Sequence, residues 1–181
     1  MKKIMFNDKY GLTQAVLDAR KTMTRRIIDQ RTEGWLRMLY SERYDDDWHR
    51  RSPYMYTETL AIAQAYQDIY NDTYHIGFYG RTRGWTNKMF VRAKLMPHHI
   101  KITSIRVEHL QDISDEDCLR EGIIYSPVGV NNYGFYSEKD NCVYYFYTPR
   151  EAFAALIDKV SGKGTWESNP LVWVYEFELV D

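Results

Sequence analysis

Apolar residues recur at helical spacing through GLTQAVLDAR, where Leu12, Val16 and Leu17 fall on one stripe, and the spacing predicts a helix over about Thr13–Arg20. KIMF, Lys3–Phe6, reads as a short strand ahead of it. The period then changes at once. Met23, Arg25 and Ile27 alternate with Thr22, Thr24 and Arg26, which predicts a strand carrying Thr22 and Thr24 on one face and Met23 and Ile27 on the other. Lys21 stands at the hinge between helix and strand, where parity does not fix its direction. TLAIAQAY, Thr59–Tyr66, has the pattern of a buried strand. MPHH leads, with Pro97 at the strand's entrance, into IKITSIRVEHL, Ile100–Leu110, whose apolar pattern breaks once near Thr103. In NPLVWVYEFELV, Leu171, Trp173, Tyr175 and Phe177 alternate with Val172, Val174, Glu176 and Glu178, which predicts a final strand.

Two further helices are marked by their ends. Ser114 followed three positions later by Asp117 is a helix start, and Gly122 is a natural stop, so a two-turn helix separates them. TPREAFAALIDKVSGKG opens with Thr148 as N-cap, Pro149 at the first helical position and Glu151 at the third, and Phe153, Leu156, Ile157 and Val160 supply its apolar stripe. The GKG at Gly162–Gly164 ends that helix, because it lacks the spacing of a phosphate-binding loop, and Lys163 is expected to face a cleft. Trp35, Leu36 and Leu39 suggest one helix within an otherwise polar excursion over 29–57. Residues 67–87, with Gly77, Gly80, Gly84 and GRTRGW, and residues 124–147, rich in Tyr, Gly and Asn, read as loop-rich insertions. About five strands with irregularly interspersed helices argue against a doubly wound parallel sheet. They predict an α+β fold, a small β-barrel with helices on its rim, formed by a single domain over 1–181.

Composition narrows the function classes. The formal charge of −1 lacks the cationic excess of a duplex-binding protein, so any nucleic-acid contact must use a local patch. The two cysteines, Cys118 and Cys142, have no metal or redox spacing, and the five histidines form no ligand pattern, so neither metal nor cofactor is expected and a reducing cytoplasm fits. No apolar run reaches the length that a bilayer requires, so a membrane is not an expected partner. The sixteen tyrosines are the outlier, and they suit strands and amphipathic pocket walls.

Four segments occur in an order that resembles the ASCH domain family, and especially its longer phage and bacterial forms. They are the helix running into RKTMTRR, the strand LAIAQAY, the unit IRVEHLQDISDEDCLREGI, and the ending GKGTWESNPLVWVYEFE. The resemblance implies a PUA-like barrel with a cleft, and RNA, a nucleotide or a modified nucleoside as partner. Short members of the family look like amidohydrolases that remove the acyl group from N4-acetylcytidine, with a Lys and a Thr from RKTxT and a Glu from the helix after LQDI. Residue by residue, this implies Lys21, Thr24 and Glu121 as catalytic positions. The aromatic insertions and the CLREGI segment depart from those short enzymes.

The residues themselves allow that chemistry. A threonine hydroxyl becomes nucleophilic when a neighbour takes its proton, and Lys21 offers either that base or a cation for an oxyanion. Glu121 closes the short helix, where the macrodipole disfavours a carboxylate and so suits it to proton exchange. Thr22, Arg25, Arg26, Trp85, Lys88 and Lys163 are the candidate substrate or nucleic-acid contacts. Arginines suit phosphate, and Trp85 among Arg81, Arg83 and Lys88 suits a stacked base. Three classes stay open at this point: an N4-acylcytidine amidohydrolase, a non-catalytic RNA- or nucleotide-binding module, and a phage accessory protein using its tyrosines for protein contacts.

Overall fold

The computed structural model describes residues 1–41, 50–70, 72–127, 130 and 132–181. Its elements, in chain order, are β1 (Lys3–Ile4), α1 (Leu12–Leu17), β2 (Met23–Ile27), α2 (Gln30–Ser41), β3 (Thr59–Ile62), α3 (Tyr66–Ile69) and α4 (Thr73–Tyr79). There follow β4 (His99–His109), α5 (Asp115–Arg120), β5 (Ile124–Tyr125), β6 (Tyr133–Ser137), β7 (Cys142–Phe146), α6 (Pro149–Ser161), α7 (Thr165–Ser168) and β8 (Leu171–Leu179). The fold is mixed α+β with two sheets. A five-stranded sheet runs β1-β3-β4-β8-β2, and a three-stranded sheet runs β5-β6-β7.

In the larger sheet β1 pairs parallel with β3, and the other neighbours are antiparallel. The break near Thr103 is a register shift between Ile102 and Ser104 where β4 pairs with β8, the two-against-one geometry that bends a strand. β8 lies between β4 and β2, and Val172, Trp173, Val174 and Tyr175 are all buried, as a central strand covered on both faces requires. Each large side chain withdrawn from water here, such as Phe153 or Ile62, contributes roughly 1.5–3 kcal/mol. β1 and β2 are the sheet edges, and no strand pairing joins them among the described residues. A side chain spans the gap instead: the Arg26 guanidinium donates to the Met5 carbonyl just beyond β1.

The capped helices form as their sequences dictate. Ser114 accepts from the Asp117 N–H, and Thr148 and Glu151 make a reciprocal capping box at α6. Phe153, Leu156 and Ile157 are buried, whereas Val160, also expected on the stripe, is 37% exposed at the last turn. The segment 67–87 is less loop-like than expected, since α3 and α4 occupy much of it. Gly77 sits inside α4 with open space around it, so it is tolerated there without imposing a turn. Likewise 124–147 holds the second sheet. Gly134 of β6 has a physical reason, because a Cβ there would lie 2.3 Å from the Tyr144 carbonyl oxygen of β7. The strand after MPHH begins at His99, two residues beyond Pro97.

Candidate functional site

The two open edges of the large sheet face a cleft of about 560 Å³. Residues 5–9 after β1 line one side, the free edge of β2 from Thr24 to Ile27 forms the floor, and Phe153, Leu156 and Ile157 of α6 supply an apolar wall. Lys21 and Glu121 also open onto this space. The three residues implied as catalytic therefore line one cavity.

Lys21 and Glu121 meet across a separation of 100 residues. The Lys21 Nζ donates to Glu121 Oε2 at 2.6 Å and to the Glu121 backbone carbonyl at 2.7 Å. Both side chains are nearly inaccessible, at 2% and 6% exposure. The approach depends on Gly122. Its φ of +104° is a left-handed conformation, and a Cβ would lie 3.2 Å from Leu12 Cδ2 and 3.6 Å from the Lys21 stem. Glycine both ends α5 and lets the lysine pass. Burial holds the Lys21 ammonium below its ordinary value of 10.5, against the opposing pull of Glu121. The Lys21 Nζ also sits 5.9 Å from the centre of the Phe6 ring.

Behind the floor, one face of the sheet carries a chain of ion pairs. Register places Arg25 of β2, Val174 of β8 and Arg106 of β4 in one row across three strands. Arg25 donates to Glu108 at 2.6 Å, Asp117 at 3.1 Å and Glu121 at 3.2 Å. Arg106 bonds Glu108, Asp117 and Glu176, and Arg120 bonds Asp117 and Glu176. Lys21, Arg25, Arg106 and Arg120 are thus balanced by Glu108, Asp117, Glu121 and Glu176. For Arg25, burial opposes the charge, but the surrounding carboxylates outweigh it and raise the guanidinium further above its ordinary value. Arg25 also lines the cleft, with its guanidinium committed to carboxylates and not held out for phosphate. The sequence held a signal for this cluster: Arg106 and Glu108 stand at alternate positions of a strand whose neighbours are apolar.

The other face of β2 differs. Thr24 is 5% exposed and lines the cleft, and its hydroxyl takes part in no side-chain hydrogen bond among the described residues. Arg26, on the same face, lines the cleft as well; its Nε is buried and unpartnered while its terminal nitrogen holds Met5. Cys118 of α5 is buried, and burial pushes its thiol up to about 12, which removes it as an alternative nucleophile.

Several expected contacts lie elsewhere. Thr22 does not share the face of Thr24, because β2 begins only at Met23; the Thr22 hydroxyl accepts from Arg120 Nε at 3.3 Å, on the ion-pair side. Trp85 packs against the separate cluster of Tyr66, Val91 and Met96. Lys163 is exposed beyond α6 and does not line the cleft. Lys88 does line it, but its ammonium is occupied by Phe6, Asp8 and Thr13. Glu121 is buried and bonded by two cations, which reverses the picture of an uncompensated carboxylate at a helix end.

Among the described residues there is no group of three or more His, Cys, Asp and Glu able to hold a metal ion, and no helix is long and apolar enough to cross a membrane. No protein-family model matches the chain, and no curated protein matches it in sequence. Among solved structures, the crystal structure of protein EF3133 from Enterococcus faecalis V583, assigned to DUF984, is similar at 14% sequence identity. That likeness covers 100% of this chain and 77% of the other, with a TM-score of 0.41.

Proposed function

We propose that the cleft binds a modified nucleoside, free or within RNA, and hydrolyses an N-acyl amide on it, N4-acylcytidine being the substrate class. The observation that carries this reading is the meeting of a desolvated lysine, its carboxylate partner and an unbonded threonine hydroxyl in one cavity. The volume of about 560 Å³ suits a nucleoside, within the range of roughly 300–1,000 Å³ usual for small-molecule sites. The open gap between β1 and β2 is compatible with a cleft of the kind that the PUA-like fold implied by the ASCH resemblance would carry.

The residues divide the work as follows. Lys21, in its neutral form, takes the proton of the Thr24 hydroxyl as Oγ1 bonds to the acyl carbon. The amide C–N bond then breaks, the Lys21 ammonium returns that proton to the departing N4 amine, and water hydrolyses the acyl–threonine ester to a carboxylate and a restored hydroxyl. Glu121 holds Lys21 in place through both its carboxylate and its backbone carbonyl. The apolar wall of α6 borders the reacting amide on one side and leaves the open side of the cleft for the water of the second step.

Incubation with N4-acetylcytidine and related N-acylated nucleosides, read by mass, tests the proposal with Thr24→Ala as the control. Turnover abolished by that substitution is expected. A second reading has one observation in its favour: the Lys21 charge is already met by Glu121, as a site that only binds would have it. Saturable nucleoside binding without turnover, unchanged in Thr24→Ala, would establish this binding module in place of the enzyme.

A further inference from the structure

Strand β2 has a neighbour on one side only. It pairs with β8, and its other edge is free. The two ends of the ladder fix which residues face which way. Phe177 N–H donates to the Thr22 carbonyl at 3.0 Å, and Ile28 N–H donates to the Leu171 carbonyl at 3.0 Å. Bonded and non-bonded pairs alternate along an antiparallel ladder, so Thr22, Thr24, Arg26 and Ile28 turn their main-chain groups to β8. Met23, Arg25 and Ile27 turn theirs to the free edge. Among the described residues no partner meets those three N–H groups.

The three differ in their surroundings. Met23 is wholly buried and does not line the cleft. Ile27 lines it but is 44% exposed, so water meets its N–H. Arg25 lines the cleft and is 6% exposed as a residue, whereas its side chain, held by carboxylates on the other face, is 1% exposed. What Arg25 presents to the cleft is therefore its main chain. A main-chain N–H so nearly withdrawn from water is costly until an acceptor meets it. The ion pairs to Glu108, Asp117 and Glu121 that fix the guanidinium also hold this peptide group still.

The donor adjoins the nucleophile. The Arg25 nitrogen is bonded to the carbonyl carbon of Thr24, so one reacting carbonyl can set its carbon at the Thr24 hydroxyl and its oxygen at the Arg25 N–H. In the α/β-hydrolases, a different fold, the N–H of the residue after the nucleophile supplies half of the oxyanion hole. The chemistry of the cleft also requires such a donor. Lys21 is neutral when it takes the threonine proton, so the negative charge that develops on the acyl oxygen must be met by another group.

We infer that the main-chain N–H of Arg25 is the cleft's receptor for the acyl oxygen of the substrate. As Thr24 Oγ1 bonds to the acyl carbon, the carbonyl π pair moves onto oxygen, and the Arg25 N–H donates to the resulting oxyanion. When the C–N bond breaks, that pair re-forms the carbonyl, and the departing N4 takes the proton that Lys21 had accepted. The inference deepens the reading of the cleft and rests on it for the acylated nucleoside. One donor of this kind contributes roughly 10²–10³ in rate.

The donor is tested by changing the ligand's acceptor, with residue 25 untouched. The full chain carrying Thr24→Val, in which acyl transfer is blocked, is titrated with N4-acetylcytidine and with N4-ethylcytidine, which has a similar outline but no carbonyl oxygen. Hydrogen exchange of the backbone amides is followed by NMR. In the free chain the Arg25 amide should exchange at least tenfold faster than that of Arg26, which is bonded to β8. N4-acetylcytidine should bind at least tenfold more tightly than N4-ethylcytidine and slow Arg25 exchange at least tenfold, while N4-ethylcytidine leaves that exchange unmoved. Equal affinity for the two ligands, or binding of neither, overturns the inference. So does an Arg25 amide that is already as protected as Arg26 in the free chain, or one that N4-acetylcytidine does not protect. Deacylation by the unsubstituted chain is read separately. Turnover with Arg25 exchange unmoved counts against this donor alone. Protection of Arg25 without turnover counts against the threonine chemistry alone and supports the N–H as the group that recognises the acyl oxygen.

Discussion

Arg25 turns to one side of β2 and meets Glu108, Asp117 and Glu121, whereas Arg26, one residue later, turns to the other side and meets the Met5 carbonyl and the face of the Phe6 ring, with no carboxylate among its described partners. The residue type is the same and the strand is the same. On the Arg25 side every charge is answered, and the arrangement fixes α5 against the sheet. On the Arg26 side a guanidinium nitrogen is buried without a partner, and the Thr24 hydroxyl makes no side-chain hydrogen bond among the described residues, at the floor of a cavity. Satisfied charge here marks architecture, and unsatisfied polarity marks the place where a ligand is to be received.

The sharpest way to break that contrast is Arg25→Met. It strands buried carboxylates, so a loss of roughly 3–5 kcal/mol is expected, or about 6–20 °C in melting temperature for a chain of this size. Denaturant and thermal unfolding measure it, and a loss below about 1 kcal/mol would place Arg25 with Arg26. Glu121→Gln comes next, at roughly 3 kcal/mol, because it leaves a Lys21 that is 2% exposed without its charge partner. Adding Lys21→Met should recover much of that loss, an apolar replacement of the pair being nearly neutral.

Acid should loosen the Arg25 side first. Burial raises the Glu176 carboxyl, but Arg120 and Arg106 outweigh it and hold the group below its ordinary 4.5. The unfolded chain therefore binds the proton more readily. The stabilisation is complete above pH 4.5 and disappears as pH falls through the lowered folded value. Melting temperature should decline across that window, and Glu176→Gln should flatten the decline. On the Arg26 side the effects on stability are smallest. Thr24→Val and Arg26→Met should each change it by less than about 1 kcal/mol, since neither removes a full set of partners. Thr24→Val should still abolish turnover. Wild-type turnover should rise with pH as neutral Lys21 forms, levelling off below the ordinary lysine value of 10.5.

What could be read from sequence follows from how local its cause is. The caps at Ser114 and Thr148, the break near Thr103 and the strand at Leu171–Leu179 all depend on residues a few positions apart, and each appears in the structure. The segments around α4 and the second sheet were obscured by glycines, because composition does not distinguish Gly77, idle within a helix, from Gly134, required by a neighbouring strand. The Lys21–Glu121 pair was legible only through the family resemblance, since no periodicity links positions 100 residues apart. The free N–H of Arg25 carried no signal at all; an unpaired strand edge exists only once the order of the sheet is set.

The place of β8 between β4 and β2 also sets the order in which the molecule can be assembled. Thr24 lies opposite Tyr175, so the strand bearing the cleft floor has its sheet neighbour only after every residue from β2 through β8 has been made. At a synthesis rate of about 5–20 residues per second, β2 waits on the order of ten seconds for that neighbour. During that interval Arg25 stands on a strand without its β8 neighbour, and the floor of the cavity is not in place. Any ligand of the cleft is therefore bound only once β8 has been made and paired, and its binding can serve as a probe for that pairing.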